Sequence, residues 1–322
     1  MSIGCVHLQN AEPAATRRPR RGARTALVLG VALTVLLAAA CQGPAQESGP
    51  APREGRYAVQ WTGYLGLLAG QDAYPQLAFI DVAGGRSSEQ LSDPVVGQVV
   101  LLADSGDIAA EVQTITPSPQ VGDYRLFTGP LKVDGLAAGR YEWRRVRYVD
   151  EAGAEREVDV GEWVLDVRSG QAATWREDAV TMGATSFGFI EVSLENASDE
   201  PLTIRGLAAE LPGIDLASQM FALSPSPGPD ASAPVNPNAV LREAVDVAPG
   251  GMAQLRFILT PRPATANLPF VELQPFIRYA AADGDERLFS ISPQVYPKGF
   301  AGEADLRRFV MDLPPGAATV LP

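Results

Sequence analysis

The chain has 322 residues, with 26 basic against 38 acidic side chains, one histidine and two cysteines. Five arginines, one glutamate, His7 and Cys5 precede Cys41, so the remainder carries 21 basic against 37 acidic residues, net −16, and no histidine. That part excludes Ser-His-Asp and Cys-His catalysis, zinc on imidazole or thiolate, and His-ligated haem. Its charge also makes nucleic acid a poor ligand. At 46% hydrophobic residues the chain is too apolar for a disordered acidic polymer, and its length predicts two domains.

Residues 17–24 read RRPRRGAR and residues 25–40 read TALVLGVALTVLLAAA, sixteen residues without charge. That run falls short of the ~20 needed to span a bilayer and suits the core of a signal peptide. It ends Leu37-Ala38-Ala39-Ala40-Cys41, which resembles the lipobox of bacterial lipoproteins, with Ala38 where the pattern usually has leucine. The resemblance implies that residues 1–40 are removed and that Cys41 becomes a lipidated N-terminus. Diacylglycerol and acyl chains of the palmitate type would then hold the protein on the extracytoplasmic face of a membrane. Gln42, in place of Asp, implies the outer membrane in a cell with two membranes and the cell membrane otherwise. The alternatives are a plain secretory signal or an N-terminal membrane helix, with Cys41 incidental. With one thiol left, no intrachain disulfide can form.

Residues 41–55 read as the lipidated cysteine and a flexible tether, rich in Pro and Gly. From Arg56 the texture changes to short apolar runs between turn residues. Strands are predicted at 57–67, 76–83, 97–103, 108–115, 123–128, 140–149 and 157–167. Leu136-Ala137-Ala138-Gly139-Arg140-Tyr141 resembles the tyrosine corner of immunoglobulin-like domains, in which the Tyr hydroxyl bonds back to preceding backbone. In the return strand Trp163, Leu165 and Val167 alternate toward a core. Residues 169–178 read as a linker. Beyond it, Phe187–Leu194, running through Glu195-Asn196-Ala197-Ser198-Asp199-Glu200 into Pro201-Leu202-Thr203-Ile204, resembles the opening hairpin of bacterial Ig-like repeats. Val247–Phe257 then holds a Pro249-Gly250 turn and an alternating strand, as such repeats often do, and strands at 270–280 and 286–293 flank Asp283-Gly284. The fold expected is all-β: immunoglobulin-like sandwiches at 56–168 and 179–299, the second with a Pro-rich loop at 222–240. A C-terminal extension, 300–322, has Leu306, Phe309, Val310 and Leu313 at helical spacing, predicting a helix near 303–313 stopped by Pro314-Pro315.

Arg140, Arg144, Arg145 and Arg147 form the basic cluster of this acidic body and are the candidate partner-binding residues, since Arg binds carboxylate or phosphate bidentately. The competing account is pairing across the hairpin with Glu155, Glu157, Asp159 and Glu162. Asp283, Asp285 and Glu286 lack calcium-loop spacing and read as a turn, as do Asp150 and Glu151. Trp61, Tyr64 and Tyr74 read as core before groove. The Asn196-Ala197-Ser198 sequon reads as turn chemistry. No phosphate-binding, dinucleotide or serine-hydrolase motif occurs, and neither cofactor nor metal is expected. The reading is a lipid-anchored, non-enzymatic binding or assembly module with an envelope protein partner. Two alternatives stay open: a polysaccharide hydrolase using paired carboxylates, and capture of a small solute between the domains.

Overall fold

The computed structural model describes residues 52–83, 96–150, 152–170, 175–182, 188–212, 215–223, 240–262, 270–297, 300, 302–313 and 318–319. The signal segment, Cys41, most of the tether and the Pro-rich loop lie outside the described residues. Period-two alternation between turn residues gives strands almost throughout. The first half holds β1 (Gly55–Ala58), β2 (Trp61–Leu68), β3 (Gln76–Val82), β4 (Val96–Ala103), β5 (Ile108–Val112), β6 (Thr116–Pro117), β7 (Tyr124–Lys132), β8 (Gly139–Val149) and β9 (Glu155–Arg168). The second holds β10 (Trp175–Met182), β11 (Phe189–Asn196), β12 (Leu202–Ala208), β13 (Asp215–Ala222), β14 (Val240–Arg242), β15 (Val245–Val247) and β16 (Met252–Arg262). It continues through β17 (Phe270–Gln274), β18 (Phe276–Ala280), β19 (Glu286–Ser290), β20 (Gln294–Pro297), the helix α1 (Glu303–Asp312) and β21 (Ala318–Thr319). The chain is all-β, with one short helix among the described residues.

The strands form a curled 12-stranded sheet in the order β20-β17-β2-β9-β8-β4-β5-β7-β3-β1-β21, with β6 against β7. A five-stranded sheet (β10-β11-β16-β13-β14) and a four-stranded sheet (β15-β12-β18-β19) complete the fold. Two apolar cores result, but the strands do not divide between them in chain order. The expected single strand at 270–280 is interrupted at Pro275, which cannot donate to a ladder. Its first part, β17, runs parallel to β2 in the large sheet, whereas β18 joins the four-stranded sheet. The expected strand at 57–67 likewise divides, with β1 pairing β3 and β2 pairing β9. Trp175–Asp178, within the expected linker, opens β10, and Trp175 is buried against Tyr279.

The strip β9-β2-β17 is parallel and buried on both faces, as parallel strands usually are. One face sends Trp61, Leu65, Trp163, Leu165, Val167 and Phe270 into the first core. The other sends Tyr64, Val164, Val271 and Leu273 into the second. Trp163, Leu165 and Val167 thus alternate inward as their spacing predicts. The described residues from Pro52 onward form one compact unit. The helix α1 docks Leu306 and Val310 on the first core, and Phe309 packs with Phe270 and Phe300.

Polar groups in this interior are partnered in specific ways. Arg56 donates twice to Asp81, each bond 2.7 Å, with both side chains buried. The Tyr141 hydroxyl donates to the Ala137 carbonyl at 3.0 Å, so the tyrosine corner forms as the Leu136–Tyr141 pattern predicts. Asn196 is fully buried and donates through Nδ2 to the carbonyls of Glu200 and Val247, which makes its sequon a turn clamp. Gly284 has φ +83° and Asp283 accepts from the Asp285 amide, giving the expected turn there.

Candidate functional site

The hairpin β8–β9 is irregular at one point, and the irregularity shapes its surface. The ladder pairs Trp143 with Trp163 and then Arg145 with Asp159, so Arg144 faces the three residues Val160-Gly161-Glu162. Gly161 has φ +93°, and a Cβ there would overlap the carbonyl oxygen of Trp61, so this position requires glycine. Asp159 fastens the bulge by accepting from the Gly161 amide at 2.9 Å and from Gln60 Nε2 at 3.0 Å. The pairing of β4 with β8 shifts at the same level, between Leu102 and Ala103. A bulge re-aims side chains, and here it leaves the consecutive residues Arg144 and Arg145 both exposed.

A cleft of about 470 Å³ opens beside this bulge. The large sheet contributes Leu102, Asp104, Arg140, Glu142, Trp143, Arg144, Arg145, Glu162, Trp163 and Val164. The segment between β12 and β13 contributes Glu210, Leu211 and Pro212. Three of the four sequence-predicted arginines therefore meet in one cleft. Arg147 does not line it and instead lies 3.4 Å from Glu155 and 3.9 Å from Asp107. Trp143 and Trp163 stack with ring centroids 5.6 Å apart and planes 5° apart, both nearly fully buried.

The charges are interleaved. Arg140 donates to Glu142 at 2.5 Å and to Glu210 at 2.6 Å. These bonds, that of Glu142 foremost, raise the Arg140 guanidinium above its ordinary value against a smaller opposing effect of burial. Arg144 lies 3.0 Å from Glu162 and 4.0 Å from Asp159. Arg145 binds Glu157. Pairing across the hairpin is thus present at Arg144, Arg145 and Arg147. Exposed pairs of this kind contribute little to stability.

On β9, beyond the cleft-lining Val164, a polar group joins the strand to β2 at the seam between the cores. The Tyr64 hydroxyl donates to Asp166 at 3.2 Å, and Arg168 donates to the same carboxylate at 2.9 Å. Burial first, then the Asp166 charge, raises the Tyr64 hydroxyl well above its ordinary value. Trp61 and Tyr64 are core residues, and Tyr74 is exposed. Further along the seam Glu272 is completely buried on β17. One of its oxygens accepts from the Gln76 amide at 2.8 Å, and the other has no hydrogen-bond partner among the described residues. Burial pushes its carboxyl up to about 8, opposed by the Gln76 amide.

Sequence reasoning found the arginines and missed Trp143, Glu210 and the bulge. Gly161 inside an alternating strand was the available signal for the bulge. Nothing local signals that Glu210, seventy residues from Arg140, would meet it. Among the described residues no group of three or more His, Cys, Asp or Glu is arranged to hold a metal ion. No helix there is long and apolar enough to cross a membrane.

No protein-family model matches the chain, and no curated protein matches it in sequence. Solved structures similar to it include the fibronectin(III)-like modules of Clostridium thermocellum CbhA, at 13% identity and TM-score 0.21, covering 76% of this chain and 94% of that one. Another is the collagen binding domain of Erysipelothrix rhusiopathiae surface protein RspB, at 11% identity and TM-score 0.20, with the same coverages. The N-terminal Ig1-2 module of the Drosophila receptor protein tyrosine phosphatase DLAR matches at 10% identity and TM-score 0.19, covering 76% of this chain and all of that one.

Proposed function

We propose that the chain is a bacterial envelope lipoprotein, anchored through lipid on Cys41 at the extracytoplasmic face of a membrane, that acts as a non-enzymatic binding or assembly module. The observation that carries the binding role is the cleft beside the β8–β9 bulge. Charged groups from the large sheet and from the segment between β12 and β13 converge there around a buried tryptophan pair. Sites that take ligands gather a few convergent polar groups in a concavity of roughly 300–1,000 Å³. The anchor rests on the residues before and around Cys41. Lipid supplies location, the tether supplies reach, and the immunoglobulin-like body presents the contact face.

The test is to anchor tagged protein through Cys41, solubilise envelopes gently, and identify what accompanies it by mass spectrometry. A stoichiometric protein companion, lost on combined charge reversal of Arg144, Arg145 and Arg147 in a folded variant, is the expected result. Companion capture unchanged by the reversal contradicts this face as the contact.

A second reading, hydrolysis of envelope polysaccharide, draws on Glu142, Glu162 and Glu210 lining one cleft. Each of the three sits against an arginine, an arrangement that orders charge rather than setting two acids about a glycosidic bond. Release of reducing ends from isolated envelope glycan, abolished by Glu162→Gln, would favour this reading over the first.

A further inference from the structure

We infer that the cleft binds an extended polypeptide segment of mixed charge, carrying an acidic and a basic side chain on the same face. This inference rests on the binding role proposed above and names the chemistry of its partner. The bulge at Gly161 leaves Arg144 and Arg145 adjacent and exposed, with 61% and 60% of their side-chain surface open. A guanidinium carries five N–H donors. Arg144 meets Glu162 through Nη1 and approaches Asp159 through Nη2 only at 4.0 Å, and Arg145 meets Glu157 through Nη1. Among the described residues, donors on both remain open for a carboxylate entering the cleft. Glu162 and Glu210, 43% and 71% open at their side chains, provide the opposite sign for a ligand cation.

Charge balance selects among ligands. Three arginines and four carboxylates line the cleft of a chain whose formal net charge is −12. A wholly acidic ligand meets those carboxylates and the field of the body, and a wholly basic one meets the arginine doublet. A ligand with both signs is complementary to each. Glycan is disfavoured because sugars stack on open aromatic faces, whereas Trp143 and Trp163 stack on each other and are 3% and 2% exposed. An extended peptide presents alternate side chains on one face, about 6.6 Å apart, and so can offer both charges to one wall.

The test titrates the full-length protein in detergent with three capped pentapeptides: Glu-Gly-Lys-Gly-Glu, its all-glutamate counterpart and its all-lysine counterpart. Binding is followed by tryptophan fluorescence, since Trp143 and Trp163 line the cleft, and by calorimetry. The expected result is saturable binding of the mixed peptide, weakened by added salt. The Arg144→Gln/Arg145→Gln variant and, independently, Glu162→Gln should each weaken it about tenfold with an unchanged circular dichroism spectrum. No saturation by the mixed peptide overturns the inference, as does equal or tighter binding of either single-sign peptide. Failure of the peptides while envelope capture still depends on the arginines removes the ligand class alone. Loss of both removes the binding role as well.

Discussion

The two stretches of β9 do different work. Glu155–Asp159 pairs with β8 alone and buries only Val158 among its five residues, with its acids meeting the arginines of β8. Gly161–Arg168 pairs with β2, and from Trp163 to Val167 every side chain is buried. One strand thus carries a charged surface at one end and the seam of two cores at the other, with Gly161 between them. The difference separates what holds the body together from what it offers to a partner. Changes in the buried run Trp163–Val167 should act on stability, and changes at the charged side chains flanking the glycine, Glu162 among them, on the surface offered to a partner.

Breaking the boundary itself should have the largest effect. Gly161→Ala places a Cβ against the Trp61 carbonyl at a positive φ. It should cost on the order of 3–5 kcal/mol, read as a lowered urea midpoint. Next comes the seam carboxyl. Glu272 has a folded-state value of about 8, above its value in the unfolded chain. Its contribution is therefore fully present below the unfolded value and is lost as pH rises through about 8. Unfolding free energy between pH 5 and 8 should fall by up to about 1.4 kcal/mol per unit relative to Glu272→Gln, which lacks that slope. A slope shared by both proteins would assign the pH dependence elsewhere.

Smaller effects sharpen the surface side of the comparison. Tyr141→Phe removes the bond to Ala137 at the base of β8 and should cost about 1 kcal/mol in chemical denaturation. A double-mutant cycle of Arg145→Gln with Glu157→Gln should return a coupling below about 1 kcal/mol, because the pair is exposed. A larger coupling would make the charged hairpin a structural brace, against the division drawn at Gly161.

Much of this architecture was legible in local pattern. The alternation of Trp163, Leu165 and Val167, the tyrosine corner and the helical spacing of Leu306 and Val310 all lead to observed contacts, because each depends on neighbours in sequence. What was not legible depends on distant pairing. Nothing near Pro275 says that β17 and β18 enter different sheets, and Glu272 meets Gln76 across 196 positions. The cleft divides the same way. Its arginines were visible as a charge cluster on one strand, whereas Glu210 arrives from another part of the chain and the doublet Arg144-Arg145 is exposed by a bulge signalled only by one glycine.

The most direct test of the binding role is photocrosslinking in intact cells. A photoreactive residue replaces Pro212 at the cleft, leaving its arginines and carboxylates in place, and, in a control, Asp283 at the exposed turn of the second half. The account predicts one dominant adduct to a single envelope protein from position 212 and none of that species from position 283. No adduct at 212, or the same adducts in equal yield from both positions, would contradict it.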